Sequence, residues 1–398
     1  MGEALEPAFP PRSRALEALP GYPMAGIPER RRALEEAGVD VIDLGAGDAD
    51  LAPPPAAVER LRRAAGEARF SRYPFQLGHV PFREAAAGWM GERFGVEVDP
   101  RSGLLPVIGS KEGIAHLLMA ILNPGDVAVF PDPGYQAYRG GTTLAGAECH
   151  PVPLLPGDDF LLPFDRLPAE VVRRTRVLIL NYPNNPTAAI APRAYLERAV
   201  AFCREHRIVL LHDHAYSEIA FDGYRPPSIL EIPGASEVAV EFHSLSKSYN
   251  MTGWRLGWVA GSPELVALLA RLKTFVDTGA FLAVQEAGVG ALESWRDWLP
   301  GNVEVFRRRR DAAVAGLAAA GFEVRVPKAT MYLWVPVPGS VPGEGDSRAF
   351  ALRALEETGV IVLPGAGLGA GGEGFFRIAL TVGEDRLREA ASRLATLL

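Results

Sequence analysis

The sequence predicts an α/β protein with a large domain, in which helices flank a mostly parallel sheet, and a smaller α+β domain. Between residues 110 and 263, short β-branched or aliphatic runs alternate with amphipathic stretches, as strands and helices do when they take turns along a chain. From about residue 301 the pattern changes to helices mixed with short strands. The composition, 398 residues of which 48% are hydrophobic and 22% charged, is typical of proteins with substantial cores.

These patterns divide the chain into three predicted segments. Residues 1–45 hold many Pro and Arg residues and one strand-like run, so we expect an N-terminal arm and part of the small domain there. Residues 46–300 are the predicted large domain, and residues 301–398 are the predicted C-terminal α+β domain.

Individual elements follow from hydrophobic periodicity and from Pro, Gly and Asn between them. The clearest helix begins at Ser110, carries Ile114, Leu117 and Ile121 on one face, and ends before Asn123. In the large domain, strands are predicted at 127–130, 177–180, 208–211, 238–242 and 256–260. In the small domain, helices are predicted from 301, at 347–358 and at the C-terminus, and strands near 322–326, 331–335, 360–363 and 375–380.

Charge and hydropathy exclude several function classes. Lys and Arg number 41 and Asp and Glu 48, so the formal net charge is -7 and no overall basic field is available to hold a nucleic acid. No apolar run approaches the roughly 18 residues of a membrane span, and the first residues lack a signal-peptide pattern, so we expect a cytoplasmic protein. Cys149 and Cys203 are too few for a disulfide scaffold or a zinc cage.

Two further patterns are interpreted as structural. His212 and His214 flank Asp213 on one face of a predicted strand, but the sequence shows no third ligand at a suitable spacing, so no metal is predicted. The run from Arg307 to Arg310 lies in a predicted amphipathic helix, where a solvated or ion-paired face is the usual outcome. We therefore expect small-molecule chemistry.

The candidate site lies where strands end. Four predicted strands run directly into polar segments, which are 131–135, 181–186, 212–216 and 243–247. In open α/β sheets, ligands bind beyond the carboxyl ends of the strands. These four segments are therefore expected to meet at one edge of the sheet.

The last of these segments carries an amine nucleophile. Lys247 follows Ser244 and Ser246, and Arg255 comes eight residues later. This combination suits a phosphate-bearing aldehyde, because an amine forms a Schiff base with the carbonyl while hydroxyls and a guanidinium hold the phosphate. Asp213 could pair with a pyridinium nitrogen. The alternatives are a surface lysine and an aspartate that caps a turn.

Other residues add to this pattern. The helix that begins at Ser110 and Lys111 offers free N–H groups to a phosphate, although N-capping by Ser110 explains the same residues. Tyr135 could stack on an aromatic cofactor, and Asn185 and Tyr216 could hydrogen-bond a phenolate oxygen. Each residue alone is weak support, and their order along the chain is what favours a single site.

Over nearly its whole length, the sequence resembles the fold-type I pyridoxal-phosphate aminotransferases of class I/II. The segments that carry the resemblance are Gly-Ser-Lys-Glu-Gly-Ile-Ala-His-Leu at 109–117, Tyr-Pro-Asn-Asn-Pro-Thr-Ala-Ala at 182–189, and Ser-Leu-Ser-Lys-Ser-Tyr-Asn-Met-Thr-Gly-Trp-Arg at 244–255. The resemblance implies a seven-stranded sheet, pyridoxal 5'-phosphate as the cofactor, and a homodimer with shared active sites.

The resemblance also implies a role for each candidate residue in holding the cofactor ring. Lys247 forms the Schiff base, and Asp213 pairs with the ring nitrogen. Asn185 and Tyr216 contact the ring oxygen, and Tyr135 stacks on the ring. The phosphate is expected to contact a further set of groups, which are the backbone of Ser110 and Lys111, the side chains of Ser244, Ser246 and Arg255, and Tyr73 from the neighbouring subunit.

Four residues are expected at the substrate by the same resemblance. Arg377 clamps the α-carboxylate, Gly47 lets the backbone approach the substrate, and Tyr22 is an arm tyrosine of some subfamilies. Asn185 is expected at the substrate as well as at the ring. The segment at Thr278 departs from the family pattern, because several relatives have Asn or Ser there reaching the partner's phosphate.

The implied reaction is a ping-pong transfer of an α-amino group from an amino acid to a 2-oxo acid, with Lys247 as general base and acid. Residues 109–116 and 181–188 look most like the branch that holds LL-diaminopimelate aminotransferases, which is our first expectation. Alanine, aspartate and succinyldiaminopimelate aminotransferases are alternatives, as is a cystathionine β-lyase-like C–S lyase on the same scaffold. A pyridoxal-phosphate-binding regulator is a poorer reading, since we find no helix-turn-helix before the catalytic motifs.

Overall fold

The structure, a computed structural model, describes residues 11–21, 26–75, 77–339 and 345–398. Its strands, in chain order, are β1 (Ile42–Asp43), β2 (Leu104–Val107), β3 (Val127–Asp132), β4 (Glu148–Pro153), β5 (Thr175–Leu180), β6 (Val209–Asp213), β7 (Ala239–Ser244), β8 (Gly257–Gly261), β9 (Tyr332–Pro336), β10 (Val360–Ile361), β11 (Leu363–Pro364) and β12 (Phe375–Ala379). Its α-helices are α1 (Arg14–Glu17), α2 (Ile27–Glu36), α3 (Pro55–Ala65), α4 (Val80–Phe94), α5 (Ser110–Ile121), α6 (Gln136–Leu144), α7 (Ala169–Arg174), α8 (Arg193–His206), α9 (Ala235–Val238), α10 (Leu245–Ser248), α11 (Pro263–Lys273), α12 (Leu282–Glu293), α13 (Trp295–Ala319), α14 (Ser347–Thr358) and α15 (Glu384–Leu394).

A seven-stranded sheet forms the centre of the fold, with the strand order β2-β8-β7-β6-β5-β3-β4. β8 runs antiparallel to β2 and β7, and the pairs from β7 through β4 are parallel. The predicted α/β class with a mostly parallel sheet is therefore confirmed. Since parallel strands end on the same side, the segments that follow β3, β5, β6 and β7 meet at one edge of the sheet.

Both faces of the sheet are buried. In β5, Leu178 and Leu180 pack into one hydrophobic cluster, while Val177 and Ile179 pack into another. Side chains alternate between the two faces of a strand, so these clusters lie on opposite sides of the sheet. Continuous aliphatic runs are typical of such doubly covered parallel strands.

Two smaller sheets accompany the central one. β11, β12 and β9 form an antiparallel sheet in that order. The short strand β1 pairs in parallel with β10, where Ile42 lies opposite Val360 and Asp43 opposite Ile361. The strand-like run at the end of the first predicted segment thus pairs with a strand near the C-terminus. The domain limits at residues 45 and 300 stay predictions.

Most predicted elements are present with shifted ends. The helices predicted from Ser110 and over 347–358 are α5 and α14. The strand predicted at 322–326 is wrong, because these residues form no strand: Phe322 is buried and Val324 packs against the same core, so the apolar alternation reflects packing. The sequence did not predict β2 and β4. Each of these strands contains proline, which weakens the sequence signal of a strand.

The four consecutive arginines lie in α13, and each of them forms an ion pair. The pairs are Arg307 with Glu304, Arg308 with Glu384, Arg309 with Asp50, and Arg310 with Asp222. Within the described ranges, no helix combines the length and the apolar character that a membrane span requires.

The packing of β5 generates a stability prediction. Leu178 is fully buried in the sheet, so Leu178→Ala is expected to lower the free energy of unfolding by about 3 kcal/mol through lost burial and a residual cavity. Leu268→Ala in α11 is the matched control, because Leu268 is 36% exposed and its loss should cost less than about 1 kcal/mol. Thermal and urea unfolding followed by circular dichroism compares the two variants, and equal losses would contradict the assignment of this core.

Candidate active site

A cavity of about 400 Å³ opens at the carboxyl edge of the central sheet. It brings together twelve of the predicted site residues, which are Gly47, Ser110, Lys111, Tyr135, Asn185, Asp213, Tyr216, Ser244, Ser246, Lys247, Arg255 and Arg377. Tyr73 is not among the lining residues, and its side chain is 73% exposed. Tyr22 lies outside the described residues.

Lys247 lies in the short helix α10, immediately after β7 ends at Ser244. Its Nζ donates a hydrogen bond to the carbonyl oxygen of Gly47. A Cβ atom at Gly47 would lie 2.1 Å from the hydroxyl of Tyr332, so a side chain at this position does not fit. The backbone of Gly47 therefore approaches the amine closely because it carries no side chain.

Asp213 ends β6 and is buried. Its Oδ2 accepts a hydrogen bond of 2.7 Å from the hydroxyl of Tyr138. Its Oδ1 is buried without a hydrogen-bond partner among the described residues. Burial raises the pKa of Asp213 and the bond from Tyr138 opposes that shift, so a positively charged donor at Oδ1 would favour the carboxylate.

The cationic end of the cavity is built around the start of α5. Gly109 precedes this helix with φ +76°, and a Cβ there would lie 2.3 Å from Nη2 of Arg255. The hydroxyl of Ser244 caps α10 by accepting the backbone N–H of Ser246 at 3.1 Å. Burial and the charge of Arg255 lower the pKa of Lys111. Helix N–H groups, hydroxyls and a guanidinium thus converge where an anion would bind.

Arg377 lies in β12, and its side chain reaches the residues that follow β5 at the carboxyl edge of the central sheet. Its Nη1 donates to Oδ1 of Asn185 and its Nη2 to the carbonyl oxygen of Gly45, each at 2.8 Å. The guanidinium carbon lies 4.1 Å from the ring centroid of Tyr332. Its Nε is buried and has no partner within the described part of the chain. A buried guanidinium held in this way can clamp a carboxylate.

Sequence reasoning missed several groups that shape the site. The hydroxyl of Tyr332 lies 3.1 Å from that of Tyr216. Burial alone would raise the pKa of Tyr332, but the charges of Lys247 and Arg377 and the contact with Tyr216 lower it. Nothing near Tyr332 in the sequence marks it as a site residue.

Two other missed residues carried a signal. Asn181 opens the polar segment after β5, and its Nδ2 donates 2.7 Å to the backbone carbonyl of Asp213. Glu112, in the first turn of α5, accepts the backbone N–H of Ile108 at 2.7 Å and Nζ of the buried Lys273 at 2.8 Å. Asn181 lies in the polar segment 181–186 and Glu112 in the segment 109–117. Their position beside candidate residues was therefore the signal that could have identified them.

The histidines beside Asp213 also have a neighbour that the sequence did not reveal. Glu241, on the adjacent strand β7, lies 2.8 Å from Nδ1 of His212 and 3.4 Å from Nδ1 of His214. The pairing of β6 with β7 puts His212 directly opposite Glu241.

The donor set fits a phosphate-bearing aromatic aldehyde. A buried acceptor without a partner, Asp213 Oδ1, suits a protonated ring nitrogen, and the cationic end at Arg255 suits a phosphate. The amine of Lys247 lines the same cavity. Pyridoxal 5'-phosphate combines these three functions in one molecule.

Comparison with known proteins agrees with this chemistry. Residues 39–394 match the model of the family aminotransferase class I and II. The chain is 47% identical over 382 residues to an LL-diaminopimelate aminotransferase of Desulforudis audaxviator, covering 96% of each chain, and 46% identical over 386 residues to one of Syntrophobacter fumaroxidans, covering 97% and 98%.

Solved structures are similar as well. A probable N-succinyldiaminopimelate aminotransferase from Thermus thermophilus superposes with a TM-score of 0.88 at 39% identity, covering 94% of this chain and all of the other. Substrate-bound BacF from Bacillus subtilis superposes with a TM-score of 0.92 at 32% identity, covering 97% of both chains.

The chain belongs to the class I and II aminotransferases. It is a transaminase that uses pyridoxal 5'-phosphate to transfer an amino group between an amino acid and a 2-oxo acid.

The contact between Gly109 and Arg255 generates a prediction. Gly109→Ala should displace the guanidinium and strain the backbone at positive φ, so affinity for pyridoxal 5'-phosphate should fall at least about tenfold. Gly140→Ala in α6 is the control, because a Cβ there meets no atom of the described residues within 4 Å. Titration of the apoprotein with the cofactor, followed by absorbance, measures both affinities. Wild-type affinity in Gly109→Ala would contradict the role of this close approach.

Proposed function

We propose that this aminotransferase takes LL-diaminopimelate as its amino-group substrate. The observation that carries the proposal is similarity over nearly the full length to LL-diaminopimelate aminotransferases, at 44–47% identity in four of them. N-succinyldiaminopimelate is the second candidate, favoured by the similar Thermus thermophilus structure. The two molecules differ at the end remote from the reacting amine, which makes their comparison a direct test.

We further propose that Lys247 binds the cofactor and moves the proton. When bound, pyridoxal 5'-phosphate supplies an electron-withdrawing ring that makes the Cα–H bond of the amino acid acidic. Lys247 would hold the cofactor through Nζ while no substrate is bound, and the same amine, once free, would accept the proton from Cα of the substrate as general base and return it as general acid. The nearby carbonyl oxygen of Gly47 holds that amine in place by accepting its hydrogen bond.

In the proposed site, four residues orient the ring. Asp213 would accept the ring N–H, and Tyr135 would stack on the ring. Burial and the proximity of Tyr332 raise the pKa of Tyr216 well above its ordinary value, so Tyr216 keeps its proton and would donate to the ring oxygen together with Asn185.

The anionic groups would bind the cations of the cavity. The phosphate is assigned to Arg255, Ser244, Ser246 and the start of α5 at Ser110 and Lys111. Arg377 is assigned to the α-carboxylate of the substrate, with Gly47 leaving room beside it. This division follows from the positions of the cations, since Arg377 contacts Asn185 of the ring-binding set and Arg255 contacts Gly109 before α5.

We also propose a homodimer whose subunits complete each other's sites. The support is an exposed apolar surface. It is formed by residues 73–75 and 275–281, which adjoin where Gly279 lies against Pro74. The large side chains exposed there are Tyr73, Phe75, Phe275, Val276 and Phe281. Such a patch on a protein surface is typical of an interface. Tyr73 would then reach the phosphate of the partner subunit.

A cytoplasmic location is proposed as well. Cys149 and Cys203 are both free thiols, as is usual in a reducing compartment.

The function is tested by the visible spectrum of the purified protein with a panel of amino donors. We expect the absorbance of bound pyridoxal 5'-phosphate to be lost on addition of LL-diaminopimelate and to change little with N-succinyl-LL-diaminopimelate. Because both half-reactions use one site, the member of the panel of alanine, aspartate, glutamate and aromatic amino acids that also bleaches the absorbance identifies the oxo-acid acceptor. Release of pyruvate and ammonia without an oxo-acid acceptor would indicate elimination instead. Lys247→Ala is the control and should stay folded but lack turnover, so residual transamination in it would contradict the role of Lys247.

Sharing of the active sites is tested by mixing two inactive variants, Tyr73→Ala and Lys247→Ala. A mixed dimer contains one site with both changes and one site with neither, so about a quarter of wild-type activity should return after random exchange of subunits. The separate variants are the controls. If mixing restores no activity although light scattering shows mixed dimers, Tyr73 does not act across the interface.

A further inference from the structure

A buried polar cluster lies on the face of the sheet opposite to the side chain of Asp213. Its members are Glu241, His212, His214 and His243, and each is at most 1% exposed. His212 and His214 alternate with Asp213 along the chain at the end of β6, while Glu241 and His243 lie on β7. The reaction assigned above uses none of these four residues.

Glu241 is saturated with hydrogen-bond donors. Its Oε1 accepts from Oγ of Ser228 at 2.7 Å and from Nε2 of His243 at 2.8 Å. Its Oε2 accepts from Nδ1 of His212 and from the backbone N–H of Ile229, both at 2.8 Å. Burial alone would raise the pKa of Glu241, but the surrounding histidines hold it well below its ordinary value. With its pKa held low, and with the hydroxyl of Ser228 and the backbone N–H of Ile229 as unambiguous donors, Glu241 is a carboxylate.

His212 lies between two groups that only accept hydrogen bonds. Its Nδ1 faces the carboxylate of Glu241, and its Nε2 lies 3.1 Å from the backbone carbonyl oxygen of Tyr182. Both partners can only accept, so the geometry favours a proton on each nitrogen of this ring. Burial lowers the pKa of His214 to about 3, so that ring is neutral. Among the described residues, His243 forms a hydrogen bond only through Nε2.

The ring of His212 also anchors the turn that carries Asn185, the asparagine assigned above to the cofactor ring. Tyr182 follows Asn181, whose Nδ2 donates 2.7 Å to the carbonyl of Asp213. Oδ1 of Asn181 accepts the backbone N–H of Asn185 at 2.9 Å, and Oδ1 of Asn185 accepts from Arg377 at 2.8 Å. Two successive residues of β6 therefore hold the 181–185 turn, His212 through its ring and Asp213 through its backbone.

We propose that His212 is a positioning residue of the transamination reaction: as an imidazolium paired with Glu241, it fixes the 181–185 turn, and with it Asn185 and Arg377, and it supplies a buried positive charge next to Asp213. The proposal rests on the roles proposed above for Asn185, Asp213 and Arg377. The proposal assigns a positioning role to the pair of His212 and Glu241, whose side chains are not among the residues that line the cavity.

His212→Gln in the full-length holoenzyme tests this proposal. Glutamine carries no charge and cannot bridge both acceptors in the manner of an imidazolium. We expect the pH midpoint of the absorbance change of bound pyridoxal 5'-phosphate to rise by about half a pH unit or more, because a nearby positive charge is lost. We also expect KM for both amino and oxo substrates to rise about tenfold, with a smaller change in kcat. His206→Gln, at the exposed end of α8, is the matched control.

A purely structural role gives a different result. In that case His212→Gln lowers the melting temperature while the absorbance midpoint and KM stay at wild-type values, and the proposal is overturned. The spectrum of the wild-type protein is recorded first and tests the role of Lys247 separately, so failure of the proposed function and failure of this inference are distinguishable.

A second measurement applies if His212→Gln does not fold. Histidine ring nitrogens are observed by ¹⁵N NMR in the labelled wild-type holoenzyme and in Glu241→Gln. The proposal requires one ring that remains doubly protonated at pH 9 in the wild type and loses that state in Glu241→Gln. If every ring is neutral at pH 9 in the wild type, His212 is not an imidazolium and the proposal is wrong.

Discussion

Asp213 is a buried carboxylate at the end of a parallel strand, and its burial determines what its neighbours must do. Burial disfavours the charged form, so donors and positive charges have to compensate. Tyr138 from α6 bonds one carboxylate oxygen, and Asn181 from the end of β5 bonds the backbone carbonyl. The other carboxylate oxygen has no partner among the described residues, and Asp213 lines the cavity. The strands and the helix that bury Asp213 are therefore also the elements that orient it.

The electrostatics of the cavity differ from those of the whole chain. The protein carries a net charge of -7, yet Lys111, Lys247, Arg255 and Arg377 all line one cavity. Concentrating cations in a concave, partly desolvated site strengthens their attraction for anions. A phosphate and a substrate carboxylate both need cationic partners. The cavity of this transaminase provides them, although the chain as a whole is acidic.

Sequence patterns predicted the parts of the fold that are locally encoded. The aliphatic runs of β3, β5, β6 and β7 are continuous because both sheet faces are covered, and the polar residues that follow them had to meet at one edge. The two strands that were not predicted and the one that was predicted wrongly also have physical causes. β2 and β4 contain proline, and the residues 322–326 alternate in polarity because they pack against a core without pairing.

The candidate site shows the same division between features that are encoded locally and features that depend on distant contacts. The roles of the site residues stay predictions. As cavity residues, Asp213 and Arg255 were predicted from motifs and Arg377 from family resemblance. Tyr332 and Glu241 were not, because their contacts with Tyr216 and His212 come from distant parts of the chain and from strand pairing. The sequence gives residue types and spacing, whereas these contacts depend on which strands become neighbours.

The pairing of β1 with β10 has a consequence for biosynthesis of the protein. Ile42 lies opposite Val360, so the two partners are 360 − 42 = 318 residues apart. A ribosome adds about 5–20 residues per second, so β1 waits on the order of half a minute for its partner to be made. During that time Ile42 and Leu44, both buried in the finished protein, have no β10 to cover them. The stretch around Ile42 therefore completes its pairing only when most of the chain has been made.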